Sequence, residues 1–210
     1  MKFSILQNTD LRPLEKLLLD ENGLLVPAPF NDINKFSQND ISAFCVKHAI
    51  YQLPTIELIE FLKPYTKKYK TIEIGAGNGS IGRALNIPIT DNKLQERTDI
   101  KLQYLALGQP TINYPKDIIK AGGNHAIKTL KPECVIAAWV TDIYTNNNYP
   151  FINESEIVKS VKCYIHIGNE KTHGQKRVLS MFNYKSIKAP WLISRSMSRQ
   201  ENIIYIFEND

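Results

Sequence analysis

The spacing of apolar residues changes character near residue 70. In the first part of the chain, apolar residues recur every three or four positions, which predicts amphipathic helices over 11–19 and 56–62. Asp40 is placed to cap a further helix between these two, and Pro64 is expected to end the helix that begins at residue 56. We therefore expect residues 1–69 to form a helical segment that acts as a partial lid over the rest of the chain.

From residue 70 onward, short β-rich runs alternate with helical ones. The predicted strands are 71–74, 87–90, 111–114, 133–140, 161–167, 191–194 and 203–207, and the predicted helices between them are 80–85, 98–107 and 124–130. Such alternation predicts an α/β fold with a doubly wound, mostly parallel sheet. Only a polar stretch joins the last two strands, so we expect them to pair antiparallel and to give the sheet a reversed C-terminal strand. Residues 70–210 are the predicted main domain.

Composition narrows the class of protein. Of the 210 residues, 43% are apolar and 22% charged, as in ordinary globular proteins, and the net charge of +5 lacks the clustered basic stripe of dedicated nucleic-acid binders. The three cysteines are widely spaced, which disfavours a disulfide framework or a zinc site and fits a reducing cytoplasm. No signal peptide or membrane-spanning run is apparent. We expect a cytoplasmic protein with no membrane partner and no metal.

The residues that carry chemistry are concentrated where the strand 71–74 meets the helix that follows it. The connecting residues are Gly75, Ala76, Gly77, Asn78 and Gly79. Glycines permit a positive φ and let a ligand approach the backbone, and the start of the next helix presents unpaired N–H groups. In an open α/β sheet such a turn lies at the carboxyl ends of the strands, where ligands bind. We expect a nucleotide-like ligand here.

Two features decide which ligand is favoured. Residues 77–82 satisfy the dinucleotide pattern G-x-G-x-x-G, but the pattern lies about seventy residues into the chain. Glu73 stands two residues before the first glycine, where its carboxylate would repel a pyrophosphate and attract a cationic amino group. These features favour a ligand with a cationic amino-acid moiety over a dinucleotide.

The pattern Glu73-x-Gly75-x-Gly77-x-Gly79 resembles motif I of class I methyltransferases that depend on S-adenosylmethionine (SAM). The resemblance covers roughly residues 51–207, and only motif I is highly specific. It implies a Rossmann-like fold, SAM as the cofactor, and binding of the methionine part and ribose by the acidic residue and the glycine loop. Segments 51–55 and 168–170 are similar to uncharacterised, bacterial or phage-type members of the family.

Four further residues are candidates for cofactor contacts, and one of them follows from the same resemblance. An acidic residue at the end of the second strand usually takes the ribose hydroxyls, and Asp91 matches it, although it comes earlier in the chain than usual. Tyr51 and Thr55 are candidates to close over the methionine end of SAM, with packing and helix capping as their structural alternatives. Asp117 is a candidate for the adenine amino group.

The methyl acceptor is expected near the ends of the fourth and fifth strands. Trp139 is a candidate stacking wall, and Asp142 and Tyr144 are candidates for accepting or positioning a substrate proton. Glu170 is a candidate acid or base and His173 a candidate substrate contact. The Asn/Asp-Pro-Pro-aromatic motif and the Pro-Cys pair of nucleobase methyltransferases are absent, so a small-molecule acceptor is favoured over nucleic acid.

Three functions stay open at this point. The first is methyl transfer from SAM to an unidentified small or macromolecular acceptor. The second is a non-catalytic SAM-binding or interaction module. The third is an NAD-binding oxidoreductase, for which no catalytic Tyr-x-x-x-Lys pair or comparable acid is evident.

Overall fold

The structure, a computed structural model, describes residues 10–140 and 152–209. The helices are α1 (Arg12–Leu18), α2 (Phe30–Ile33), α3 (Gln38–Lys47), α4 (Ile56–Lys68), α5 (Ser80–Ala84), α6 (Thr98–Ala106), α7 (Gly123–Leu130), α8 (Glu154–Ser160), α9 (Glu170–His173) and α10 (Arg177–Met181). The strands are β1 (Thr71–Ile74), β2 (Ile89–Asp91), β3 (Ile119–Lys120), β4 (Cys134–Ala138), β5 (Cys163–Asn169), β6 (Lys185–Ile187) and β7 (Asn202–Glu208). Short 3-10 turns occupy Leu94–Glu96 and Arg199–Glu201.

Within the described residues, the strands form one seven-stranded sheet in the order β3-β2-β1-β4-β5-β7-β6. Strands β1 to β5 pair in parallel, and β7 runs antiparallel to both β5 and β6. The predicted Rossmann-like α/β fold with a reversed C-terminal strand is therefore confirmed. The chain first builds outward from β1 through β2 to β3, then returns to place β4 on the other side of β1. Because the winding direction reverses between β1 and β4, the crevice at their carboxyl ends is the expected ligand site.

Alternating strand residues face two apolar clusters. On one face, Ile72 and Ile74 of β1 pack with residues of α7, α8 and α10. On the other face, Ile136 of β4 packs with residues of α4 and α5. A third cluster joins α1, α2 and α3 to Leu53 and Ile193. Helix α4 thus belongs to the layer that covers the sheet, whereas α1, α2 and α3 pack in the third cluster. No helix in the described ranges is long and apolar enough to cross a membrane.

Two strand predictions are wrong. The third strand is β3, and segment 111–114 has no regular structure, because Pro110 and Pro115 flank it and the Ile112 N–H donates to the side chain of Gln95 instead of a strand. The antiparallel partners of β7 are β5 and β6, and segment 191–194 is not one of them. Segment 191–194 instead meets the N-terminal part of the chain through an isolated bridge between Ser194 and Gln52 and through hydrogen bonds from Leu53 and Thr55.

Two helix ends also differ from the prediction. Helix α4 continues through Pro64 to Lys68, because Leu58, Ile59 and Leu62 pack on the sheet and outweigh the loss of one N–H donor. Helix α3 is capped by Ser37 rather than Asp40. The Ser37 hydroxyl accepts from the Asp40 N–H while the Asp40 carboxylate accepts from the Ser37 N–H, a reciprocal capping box.

Candidate functional site

The glycine loop, residues 75–79, connects β1 to α5 at the crevice between β1 and β4. Gly75, Gly77 and Gly79 have φ values of 57°, 56° and 68°, in the left-handed region that residues with a side chain avoid. The Gly79 N–H closes the turn by donating to the Ala76 carbonyl at 2.8 Å. The Ser80 N–H donates to the side chain of Asn78 at 3.1 Å. The predicted strand–loop–helix arrangement is therefore present.

Asp91, at the end of β2, holds the loop from the side. Its Oδ2 accepts from the Gly77 N–H at 3.0 Å, and its Oδ1 accepts from the Lys93 N–H at 2.7 Å. Burial raises the pKa of Asp91, while these two hydrogen bonds oppose that rise by favouring the ionised form. The structure thus brings together two predicted cofactor residues, Asp91 and Gly77. Contact of Asp91 with a ribose stays a prediction.

Glu73 lies beneath the loop. Its residue is only 2% exposed, and its Oε2 accepts from the N–H of Gly82, inside α5, at 2.7 Å. Burial raises the pKa of Glu73 to about 8, with the nearby Asp91 adding to the shift. The contact makes Glu73 a brace between β1 and α5. Direct binding of an amino group by Glu73 stays a prediction.

Residues that sequence reasoning did not assign to the site pack on the glycine loop. A methyl group on Gly77 would lie 3.6 Å from Ile112, one on Gly79 would lie 3.3 Å from Pro115, and one on Gly75 would meet Val140. Ile112 was not assigned to the site because it lies in segment 111–114, which was wrongly predicted to be a strand. Asp117 follows in the same segment and is exposed, and its contact with adenine stays a prediction.

Thr55 has a structural role instead of the predicted cofactor contact. It caps α4, where its hydroxyl accepts from the Leu58 N–H at 3.1 Å and donates to the Trp191 carbonyl at 2.9 Å. The residue is 0% exposed, so its hydroxyl has no surface to offer a ligand. Its assignment to cofactor binding is therefore corrected to helix capping.

Trp139 and Tyr51 meet just beyond β4. Their ring centroids lie 6.0 Å apart, and both side chains are half-buried. The indole N–H of Trp139 donates to the side chain of Gln52 at 3.2 Å. The His173 ring packs edge-on against Trp139 at 5.1 Å. Three of the predicted site residues are thus brought together at the carboxyl end of β4.

The two candidates on α9 have different surroundings. Glu170 forms an exposed ion pair with Lys188 at 2.5 Å, which lowers the pKa of Glu170. This environment does not support its predicted role as an acid or base, because a general base acting near neutral pH needs a raised pKa. His173 is fully buried, and burial together with the nearby Lys176 lowers its pKa to about 4. His173 supports Trp139 from within the protein. Asp142 and Tyr144 lie outside the described residues.

A buried polar cluster lies on the face of the sheet that α8 and α10 cover. The sequence predictions did not include it. The carboxylate of Glu154 accepts from the Lys176 ammonium and from the Tyr164 hydroxyl, each at 2.5 Å. His166 lies 3.5 Å from the same carboxylate, and burial lowers its pKa well below the ordinary value. Glu154 and Lys176 are 22 residues apart, so no local pattern indicates their pairing.

Comparison with known proteins yields likenesses of fold only. No family model matches the chain, and no curated protein matches it. It is similar to Thermoplasma acidophilum 1320, at 12% identity and a TM-score of 0.40 over 82% of this chain and 97% of that one. It is also similar to an rRNA methylase from Streptococcus thermophilus, at 10% identity and a TM-score of 0.42 over 72% of this chain and 93% of that one. Likenesses this weak carry no argument about function.

Proposed function

We propose that this protein is a SAM-dependent methyltransferase that binds its cofactor at the glycine loop. The observation that carries the proposal is the use of the N–H groups of the loop and of the first turn of α5. Those of Gly77, Ser80 and Gly82 donate to the side chains of Asp91, Asn78 and Glu73. A dinucleotide fold leaves such groups free for a pyrophosphate, whereas here side-chain oxygens, two of them from carboxyl groups, accept from them.

The charge at the loop favours a cationic ligand. Asp91 places a carboxylate within hydrogen-bond reach of the loop, and each of its oxygens has more than one lone pair. Asp91 can therefore hold the loop and still accept from sugar hydroxyls. Glu73 has a pKa of about 8 and keeps its proton near neutral pH, so the negative charge at the loop comes from Asp91. A sulfonium and an ammonium group gain from this negative potential, and a pyrophosphate loses. The residues present fit SAM better than NAD.

Methyl transfer then needs the protein mainly to orient the cofactor and the acceptor. SAM supplies an electrophilic methyl group when bound. The chain contributes orientation, because the glycine loop and Asp91 fix the cofactor while Trp139 and Tyr51 face the acceptor side. Tyr51 and Gln52 come from the N-terminal segment, which supports its proposed role as a partial lid. We favour a small-molecule acceptor over nucleic acid.

A second candidate is a non-catalytic SAM-binding module. It is favoured by the lack of a suitable base among the candidates on α9, since Glu170 is ion-paired and His173 has a pKa of about 4. Turnover separates the two candidates. Radiolabelled SAM incubated with small-molecule, protein and nucleic-acid acceptors should label one class in the methyltransferase and none in a binding module.

Calorimetry tests the choice of cofactor. We expect heat of binding with SAM and with its demethylated product, S-adenosylhomocysteine, and none with NAD. Binding of NAD without binding of either SAM compound would overturn the proposal and favour an oxidoreductase.

A further inference from the structure

Tyr51 and Trp139 form a surface that we call the aromatic platform. It lies directly after β4, and it is linked to the glycine loop by the neighbouring residue Val140, whose side chain would meet a methyl group placed on Gly75. The platform is therefore one residue away from a contact with the proposed cofactor loop. An acceptor lying on it would be next to the cofactor site.

The backbone of Trp139 is strained. Its φ is 57°, in the left-handed region that bulky residues avoid. Such a conformation persists only where surrounding contacts impose it, and it is concentrated at functional sites. Here the Trp139 N–H donates to the Ile167 carbonyl at 2.8 Å, while Gln52 and His173 fix the ring. The indole is held rigidly by three separate parts of the chain.

The ring is fixed but only half-buried. Trp139 and Tyr51 are half-buried, whereas the residues that hold them, Gln52 and His173, are buried. An aromatic ring placed only for packing would gain more from full burial, since burial removes apolar area from water. A rigid, half-exposed ring is suited to stacking with a planar ligand.

Aromatic rings can bind cations as well as neutral or anionic planar ligands. The position of Arg195 indicates which of these two classes is favoured. Its guanidinium lies 4.7 Å from the centroid of the Tyr51 ring, so one cation already occupies that part of the platform. A second cation would be repelled, and an anionic or neutral group would not. The charge of Arg195 therefore favours planar ligands that are neutral or anionic.

We propose that the methyl acceptor contains a planar aromatic ring, neutral or anionic, that stacks on Trp139 and contacts Tyr51, whose ring plane is tilted by 41° from that of Trp139. The ligand is a methyl acceptor only if the protein is a methyltransferase, so this inference rests on the proposed function. Binding of an aromatic ligand to the platform can be tested without assuming that function. The substrate class is a small aromatic compound such as a phenol or an aromatic carboxylate.

Fluorescence provides the test. Since the chain has two tryptophans, the Trp191→Phe variant leaves Trp139 as the sole indole fluorophore. Three probes of matched size are titrated into it: 2-naphthoate, its saturated counterpart decalin-2-carboxylate, and the cation 2-naphthylmethylamine. We expect naphthoate to quench the fluorescence of Trp139 in a saturable way. The affinities of the other two probes are measured by calorimetry, and naphthoate should bind at least tenfold more tightly than either.

Two variants sharpen the result. Tyr51→Leu should weaken naphthoate binding at least fivefold. Arg195→Gln should reduce the ratio of naphthoate affinity to amine affinity. The hydrogen bonds of Arg195 with Ser42 and Tyr51 use its backbone atoms, so this variant keeps them. Equal binding of the flat and saturated acids, or no saturable quenching by naphthoate, would overturn the proposal. S-adenosylhomocysteine is titrated into the same variants, so that loss of the cofactor site is recognised separately.

Discussion

Asp91 and Gly77 are joined by a hydrogen bond from the backbone N–H of Gly77 to the Asp91 carboxylate, at 3.0 Å. The same carboxylate accepts from the Lys93 N–H through its other oxygen. Because both oxygens act as acceptors, the end of β2 fixes the position of the glycine loop. The geometry of the loop thus depends on an ionisable side chain fourteen residues further along the chain.

Asp91→Asn should weaken this link. An amide has one acceptor oxygen, so its NH₂ group must face either the Gly77 or the Lys93 N–H, and one donor loses its partner. We expect a loss of about 1–3 kcal/mol in the free energy of unfolding and at least tenfold weaker binding of S-adenosylhomocysteine. Urea unfolding and calorimetry measure the two effects. In the control Asp32→Asn, which removes an exposed ion pair with Lys35, both should change little.

Glu73→Gln should alter the pH dependence of stability. Burial raises the pKa of Glu73 from 4.5 to about 8, so between these values the folded protein holds a proton that the unfolded chain releases. The stability due to this proton is complete below pH 4.5 and is lost as the pH rises through 8, with a slope of at most about 1.4 kcal/mol per pH unit. Glutamine stays neutral and keeps an acceptor for Gly82. The variant should match wild type near pH 5 and exceed it in stability near pH 8, and parallel urea-unfolding profiles would contradict the assignment.

Lys176→Met should be strongly destabilising. It leaves the Glu154 carboxylate, whose side chain is 1% exposed, without its ammonium partner. Breaking a buried pair in this way costs about 3–5 kcal/mol. The double variant Lys176→Met with Glu154→Gln should recover part of that loss, since the buried charge is gone. Lys188→Met, which breaks the exposed ion pairs with Glu170 and Glu201, should lower the free energy of unfolding much less in the same assay. Equal losses in the two lysine variants would show that burial is not the cause.

Gly168→Ala should disturb the support of the aromatic platform. Its added methyl group would lie 2.5 Å from Nδ1 of His173 and 2.8 Å from Nε2 of His166. We expect a loss of about 1–3 kcal/mol and a changed near-ultraviolet signal from Trp139, which packs on His173. Gly122→Ala, where nothing lies within 4 Å, should cost less than about 1 kcal/mol and leave that signal intact. An unchanged spectrum in both variants would show that His173 does not support the ring of Trp139.

The parts of the fold that the sequence predicted are those set by local patterns. The glycine loop is a run of neighbouring residues between a strand and a helix, and β4 and β5 are long apolar runs. Strands β3 and β6 have two and three residues and are mostly exposed, so they carry no hydrophobic pattern. Their existence depends on pairing with a neighbouring strand, which a local pattern does not contain.

The site shows the same division. Asp91 was found because it directly follows a short strand. The buried pair of Glu154 and Lys176 was missed because its partners meet only through the tertiary fold. Thr55 was misassigned because a threonine before a helix has the same local pattern whether it caps the helix or contacts a ligand. Its hydrogen bonds to Leu58 and Trp191 decide the matter.

Binding of SAM by the glycine loop can be tested with a matched pair of variants. Gly77 and Gly108 have φ values of 56° and 62°, and an added methyl group fits at both positions, 3.6 Å from Ile112 in one case and in open space in the other. Alanine should therefore cost both variants a similar backbone strain of about 1–2 kcal/mol. Calorimetry with S-adenosylhomocysteine should give wild-type affinity for Gly108→Ala and at least tenfold weaker binding for Gly77→Ala. Equal affinities in the two variants, or no binding by the wild-type protein, would contradict the account.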